Sequence, residues 1–433
     1  MIGPRSLSVY FEAPPGSTPT ERHNFHHAFR ESALIGVINA GGMFLPIFLV
    51  RLGASNVEVS LLTALPAFIG VALAIPIGAF MQSRRNIVPW YARGRIGHQA
   101  AFGAAALASL LLPPPLIVPG VLSVWAVGTL FSTITNVAFN VVMNATAGSR
   151  SRYDLMSRRW SIMAVATAIS TAVVGYGLTR LAFPLNFQIA FAGFTLAGVW
   201  AYRYGSRLIV PDHPAVTRDR AGRSLARRAA DTVRLVRAHP AFISFEARRV
   251  VFAMGTTLTL PLIPLYYVRV LEASNSWIGL IGTVQSLTVL IGYAFWRQQA
   301  RGGARYVLAA ATFGAALHPL ALSITHQVET AVVLAGLGAI FTSGVSLAMF
   351  DRLMTTVPDG YGVTFNSIDN TLVNIAGVAA PVLGALLADR IGLGGALAVA
   401  GLVGLIGAGL FAIDRSGTGT GTAAPEPAPQ PTG

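Results

Sequence analysis

Asp369 is a carboxylate set about one and a half turns inside an otherwise apolar helical stretch. Charge is costly in hydrocarbon, so an ionisable side chain at such a place is a functional candidate by default. It can exchange a proton, or it can pair with the arginines between Arg150 and Arg159 to close a gate; a solvated helix end is the third reading. Amides and hydroxyls recur around it in a pattern. Thr133, Asn136 and Asn140 share one helical face by their three- and four-residue spacing, with Asn144 a turn further on. Asn366, Asn370 and Asn374 repeat the device. Asn39 lies midway along the first apolar run, Thr256, Thr257 and Thr259 at comparable depth in the seventh, Gln285 and Ser286 in the eighth, Ser343 and Ser346 in the tenth. Such groups can hydrogen-bond a ligand, and they can equally bond neighbouring helices.

Other chemistries lack their residues. The chain has no cysteine and no lysine, which removes thiolate catalysis, cysteine metal sites and the phosphate-binding G-x-x-x-x-G-K-[ST] loop. Neither H-E-x-x-H nor G-x-S-x-G occurs, so ATP-driven pumping and hydrolysis by those schemes lose support, and no enzyme activity is expected. No cofactor is called for; a proton is the candidate coupling ion. His98 and His318 read as polar contacts.

The elements that must position these groups are membrane spans. Only 11% of the 433 residues are charged and 53% are hydrophobic, with mean hydropathy +0.60, against roughly a quarter charged in a soluble domain. Apolar runs fall near residues 31–50, 59–82, 96–114, 118–145, 158–179 and 186–205, then 246–268, 276–297, 305–325, 328–350, 364–388 and 392–413. With both termini in the cytoplasm, only Arg51, Arg180, Arg269 and Arg390 of the 31 basic residues, all arginine, fall outside, leaving 27 inside. That bias explains the net charge of +14 without nucleic acid. Residues 1–25 and 414–433 read as disordered cytoplasmic ends, and 206–245 as a cytoplasmic linker with an amphipathic arginine-rich helix. Arg30, Glu31, Glu246, Arg248 and Arg249 open the first and seventh spans as interfacial ion pairs or snorkelling anchors.

The two halves echo each other. Pro46 begins PIFLVRLGASN and Pro264 begins PLYYVRVLEASN; FGAA follows from Phe102 and from Phe313; Arg180 is matched by Arg390. Three helix pairs agree in order and spacing, so the chain divides into bundles at 26–205 and 246–413.

This duplication resembles the major facilitator superfamily. In that family the loop after the second helix resembles G-x-x-x-D-x-x-G-R-[KR]; here Gly78 to Arg85 reads GAFMQSRR, with Gln82 in place of the aspartate. The resemblance implies an all-α membrane fold of twelve helices in two pseudo-symmetric bundles. It also implies gate roles for Gly78, Arg84 and Arg85, and a midplane cavity lined by the first, fourth, seventh and tenth helices with help from the second, fifth, eighth and eleventh. On that arrangement the cavity residues are Asn39, Thr133, Asn136, Asn140, Thr257, Gln285, Ser346, Asn370 and Asn374, with Asp369, Glu31 and Arg248 as coupling or gate residues. The expected function is alternating-access transport of a small organic solute in a bacterial inner membrane by a monomer, with export of neutral or amphiphilic compounds slightly preferred. Uptake of a neutral nutrient such as a sugar, or sensing without transport, are the alternatives.

Overall fold

The structure is a computed structural model that describes residues 12–14, 16–82, 84–211, 234–299, 304–356 and 362–413. Ten long helices carry the fold: α1 (Pro19–Arg51), α2 (Asn56–Gln82), α3 (Val88–Leu111), α4 (Pro114–Gly177), α5 (Leu185–Gly205), α6 (Pro240–Arg269), α7 (Asn275–Gln299), α8 (Ala304–Ser323), α9 (Val328–Thr356) and α10 (Gly362–Ile413). No strand occurs among the described residues.

Two of these helices are too long for one crossing. At 1.5 Å per residue, the 64 residues of α4 would stretch about 96 Å if straight, roughly three times the hydrocarbon thickness. Packing shows that α4 doubles back. Along α3, a Cβ on Gly94 would meet Thr135 and Phe131, and His98 reaches the Gly128 carbonyl, so the first leg runs antiparallel to α3. On the second leg Arg159 contacts Ser32, Thr167 the Gly36 carbonyl and Ser170 the Val37 carbonyl, parallel to α1. The reversal therefore falls between Met143 and Leu155. In α10 it falls at Gly392, whose φ of 76° and ψ of 163° break the helix.

Nine helical stretches are long and apolar enough to cross a membrane among the described residues. α3, which carries Arg95, His98 and Gln99, and α5, with Asn186 and Gln188, fall short of that apolarity but pack inside the same bundle. Adding them and the second leg of α10 gives twelve legs, six per bundle. The first bundle's core is aromatic: Phe48 meets Phe191 edge-on at 5.2 Å, and Phe102, Phe187 and Phe194 extend the cluster, with Phe102 seated against Gly41, where a Cβ would come within 2.6 Å of its ring. Large apolar side chains such as Phe68, Leu110, Val173, Leu196 and Ile291 stay exposed, as a lipid-facing surface requires.

Several element boundaries differ from those the sequence suggests. Residues 19–25, expected to be disordered, form the first two turns of α1. Thr18 and Glu21 make a capping box with Pro19 at the first helical position: Glu21 N donates to Thr18 Oγ1 at 3.2 Å and Thr18 N to Glu21 Oε2 at 2.8 Å. Asn24 then ties this end down, donating to the carbonyls of Thr146 (3.2 Å) and Ile209 (2.8 Å) and accepting from Ile209 N (2.8 Å). Likewise α6 starts at Pro240, so residues 240–245 belong to a span rather than to the linker. Most of the arginine-rich linker (212–233) and the tail (414–433) lie outside the described residues.

Candidate functional site

The bundles are joined at the arginine-poor end by the repeated motif itself. α1 ends at Arg51 and turns through Gly53 (φ 87°), where Ala54 N returns to the Leu49 carbonyl. α6 ends at Arg269 and turns through Glu272 (φ 48°), one residue longer. Each turn points an alanine carbonyl at the other bundle. Arg51 Nη2 donates to Ala273 O at 3.1 Å, and Arg269 Nη2 donates to Ala54 O; Arg269 Nη1 also donates to Asn56 Oδ1 at 2.7 Å. Asn56 Nδ2 donates to Asp389 Oδ1 at 2.6 Å, and its repeat partner Asn275 donates to Leu178 O at 3.3 Å. The result is a reciprocal clasp.

Beside the clasp the second leg of α4 crosses α7 at Gly175 and Gly279. A Cβ on Gly175 would lie 2.6 Å from the Gly279 Cα, and one on Gly279 would lie 2.8 Å from the Gly175 Cα, so neither backbone tolerates a side chain there. Thr283 Oγ1 donates across the same seam to Ala168 O at 3.1 Å. Replacing Gly175 with leucine is expected to wedge this end apart, raising the labelling rate of a cysteine placed at Asn275 at least tenfold. An unchanged rate would show that the seam yields elsewhere.

At the arginine-rich end of the first bundle sits a closed ionic network. Glu31 was expected at the interface, but α1 begins twelve residues earlier, and its carboxylate is fully buried. Tyr91 Oη donates to Glu31 Oε1 at 2.8 Å; Arg159 Nη2 donates to Oε2 at 3.4 Å; Arg95 Nε stands 3.1 Å from Oε1 as an ion pair without hydrogen-bond alignment. Arg95 also donates to Tyr91 Oη and Arg159 to Ser32 Oγ, at 2.8 and 2.7 Å. One carboxylate thus holds two guanidinium groups.

The second bundle reverses that balance. Arg249 Nη1 lies 2.6 Å from Asp369 Oδ1, and Glu246, one turn earlier on the same helix, is buried. Arg249, one residue beyond Arg248, pairs with Asp369. The two clusters occupy related positions. Glu31 and Arg249 are 218 residues apart, as are Arg51 and Arg269; Arg159 and Asp369 are 210 apart, as are Arg180 and Arg390. The duplication has kept the ion pair and exchanged its signs.

A cavity of about 490 Å³ opens beside the second cluster, lined by Arg249, Phe252, Ala253, Thr256, Val345, Ser346, Met349, Phe350, Leu353, Asp369, Asn370 and Val373. Of the expected cavity residues, Ser346 and Asn370 line it with Asp369. Thr256 lines it where Thr257 was expected. Asn39 and Asn136 are exposed on α1 and α4, and Asn39 shares its face with Met43, which packs on Gly282 of the other bundle. Thr133 is buried and donates to its own helix at Thr129 O, a structural use. Gln285 and Asn374 are half-buried off this cavity. The side chains of Asn140, Asn366 and Gln82 lie outside the described residues. In the loop after α2, Arg84 rests on the rings of Phe80 and Trp90 at 4.4 and 5.4 Å, Arg85 is exposed, and Gly78 has open space where a Cβ would stand. The sequence signal that marks the clasp is the repeat, which by itself reads only as duplication; nothing local marks Tyr91 as a cluster member.

Two six-leg bundles, clasped at one end with a cavity at the other, make the fold of a polytopic membrane protein. Residues 249–432 match the family model described as Major Facilitator Superfamily. The fold is similar to the crystal structure of a D-xylose-proton symporter (TM-score 0.66, 13% identity, 89% of this chain and 95% of the other). It is also similar to the crystal structure of a point mutant of the nucleoside transporter NupG (0.67, 9%, 90% and 98%). A third match is a bacterial homologue of the human lysosomal transporter Spinster, inward-facing and unoccupied (0.63, 15%, 92% and 97%). No curated protein matches the chain.

Proposed function

We propose that this chain is a secondary transporter that moves an uncharged or amphiphilic organic solute by rocking its bundles about the midplane. The observation that carries the reading is the pairing of a symmetric clasp between the bundles at one end with a cavity in the second bundle at the other, as expected of one of the two states alternating access requires. The arginine bias supports a cytoplasmic open end in a bacterial inner membrane, and on that reading this state faces inward. Phe252, Val345, Met349, Phe350 and Val373 supply an apolar wall while Thr256, Ser346 and Asn370 supply a few hydrogen-bonding groups, a lining suited to amphiphiles and to their export. Uptake of a hydroxylated nutrient is the second reading, favoured by two similar folds that belong to a xylose symporter and a nucleoside transporter.

The test starts from a thermal-shift screen of metabolites and antibiotics, because a ligand of the native state raises its melting temperature. A compound found this way is expected to show saturable flux in reconstituted vesicles, and Ser346→Trp, which fills the cavity, to lower that flux at least tenfold at unchanged melting temperature. Binding without flux would favour a sensor.

A further inference from the structure

We propose that the corner between α2 and α3 binds an anionic phospholipid at the arginine-rich end of the first bundle, its phosphate held by Arg84 and Arg93 and an acyl chain lying along α3. One indole carries both cations: Arg84 stands 5.4 Å and Arg93 5.6 Å from the Trp90 ring, and Arg84 also lies 4.4 Å over Phe80, which meets Trp90 edge-on at 4.7 Å. Stacking on a ring places a guanidinium without neutralising it, so its N–H groups stay available to an oxyanion. The protein offers them none. No aspartate or glutamate occurs in the sequence between Glu58 and Asp154, and Arg84, Arg85 and Arg93 make no ion pair among the described residues. Arg95, one turn-side away on the same helix, shows the contrast by reaching Glu31 at 3.1 Å. The three unpaired arginines are all exposed.

The face of α3 that Arg93 heads suits hydrocarbon. Arg93, Ala100, Leu107 and Leu111 follow at spacings of seven, seven and four residues, which puts them on one stripe of the helix, and all four are exposed. Leu107 and Leu111 are 57% and 74% exposed, with Leu110 beside them at 67%. At 1.5 Å per residue the stripe runs about 27 Å, longer than the roughly 15 Å depth of one leaflet's hydrocarbon. A cationic pair at the head of a lipid-facing stripe stands where a headgroup lies. A zwitterionic headgroup brings its own cation and gains less there, so the site selects a lipid of net negative charge.

Native mass spectrometry of the full chain, titrated in detergent with dioleoyl phosphatidylglycerol or dioleoyl phosphatidylcholine, reads the site without a transport substrate. The first phosphatidylglycerol is expected to bind the wild type at least tenfold tighter than phosphatidylcholine, and Arg84→Gln with Arg93→Gln to remove that preference. Arg203→Gln with Arg297→Gln, which deletes two exposed charges elsewhere, should keep it. No preference in the wild type, or one that survives the Arg84 and Arg93 changes, overturns the proposal. Equal loss in the Arg203 and Arg297 variant also overturns it, by reducing the effect to net charge. Displacement of the lipid by millimolar glycerol phosphate would do the same, by assigning the corner to a soluble anion.

Discussion

Glu31→Gln is expected to destabilise the purified protein by about 3–5 kcal/mol, the usual result of removing one partner from a buried ionic cluster. The glutamine leaves Arg95 and Arg159, whose side chains are 14% and 4% exposed, facing each other without a counter-charge. Thermal or denaturant unfolding in detergent checks it. The same substitution at Glu246 should cost little or add stability, because neither of its buried carboxylate oxygens has a hydrogen-bond donor among the described residues. Equal losses at the two positions would show that the second bundle's cluster is as settled as the first's.

Arg51→Ala combined with Arg269→Ala is expected to shift the balance between clasped and open outer ends by about 10–100-fold, or about 1.4–2.8 kcal/mol. The figure is reduced because Arg269 is solvent-exposed, where charged contacts weaken. Distances between spin labels at Thr179 and Ser276, both exposed on opposite sides of the seam, report the opening, and a chain with no native cysteine accepts labels only where they are placed. An unchanged distance distribution would mean that the Gly175–Gly279 seam holds the end closed without the clasp.

The spans were legible because lipid imposes length and apolarity on each leg separately. What joins legs was less legible. Glu31 reads as an interfacial anchor when the apolar run is taken from residue 31, whereas the Thr18–Glu21 capping box starts α1 twelve residues earlier. Its partner Arg95 read as a loop arginine because an apolar-run criterion ends a span where charge begins, whereas α3 carries that charge buried against Glu31. Arg249 and Asp369 lie in different helices 120 residues apart, and no pattern along one helix announces such a pair. Thr133 fitted the face periodicity yet spends its hydroxyl on its own backbone, since a threonine in a helix always has the preceding turn's carbonyl within reach.

The clasp has the form of a contact in a symmetric dimer: a residue on one side grips a site on the other, and the copy of that residue grips the copy of that site. In a homodimer one base change would alter both arms at once. Fused into one chain, the arms answer to separate codons, and they already differ, with Gly53 at one turn and the longer Leu271–Glu272 segment at the other. The strength of the lock can therefore be adjusted one arm at a time, a freedom that an assembly of two identical subunits never has.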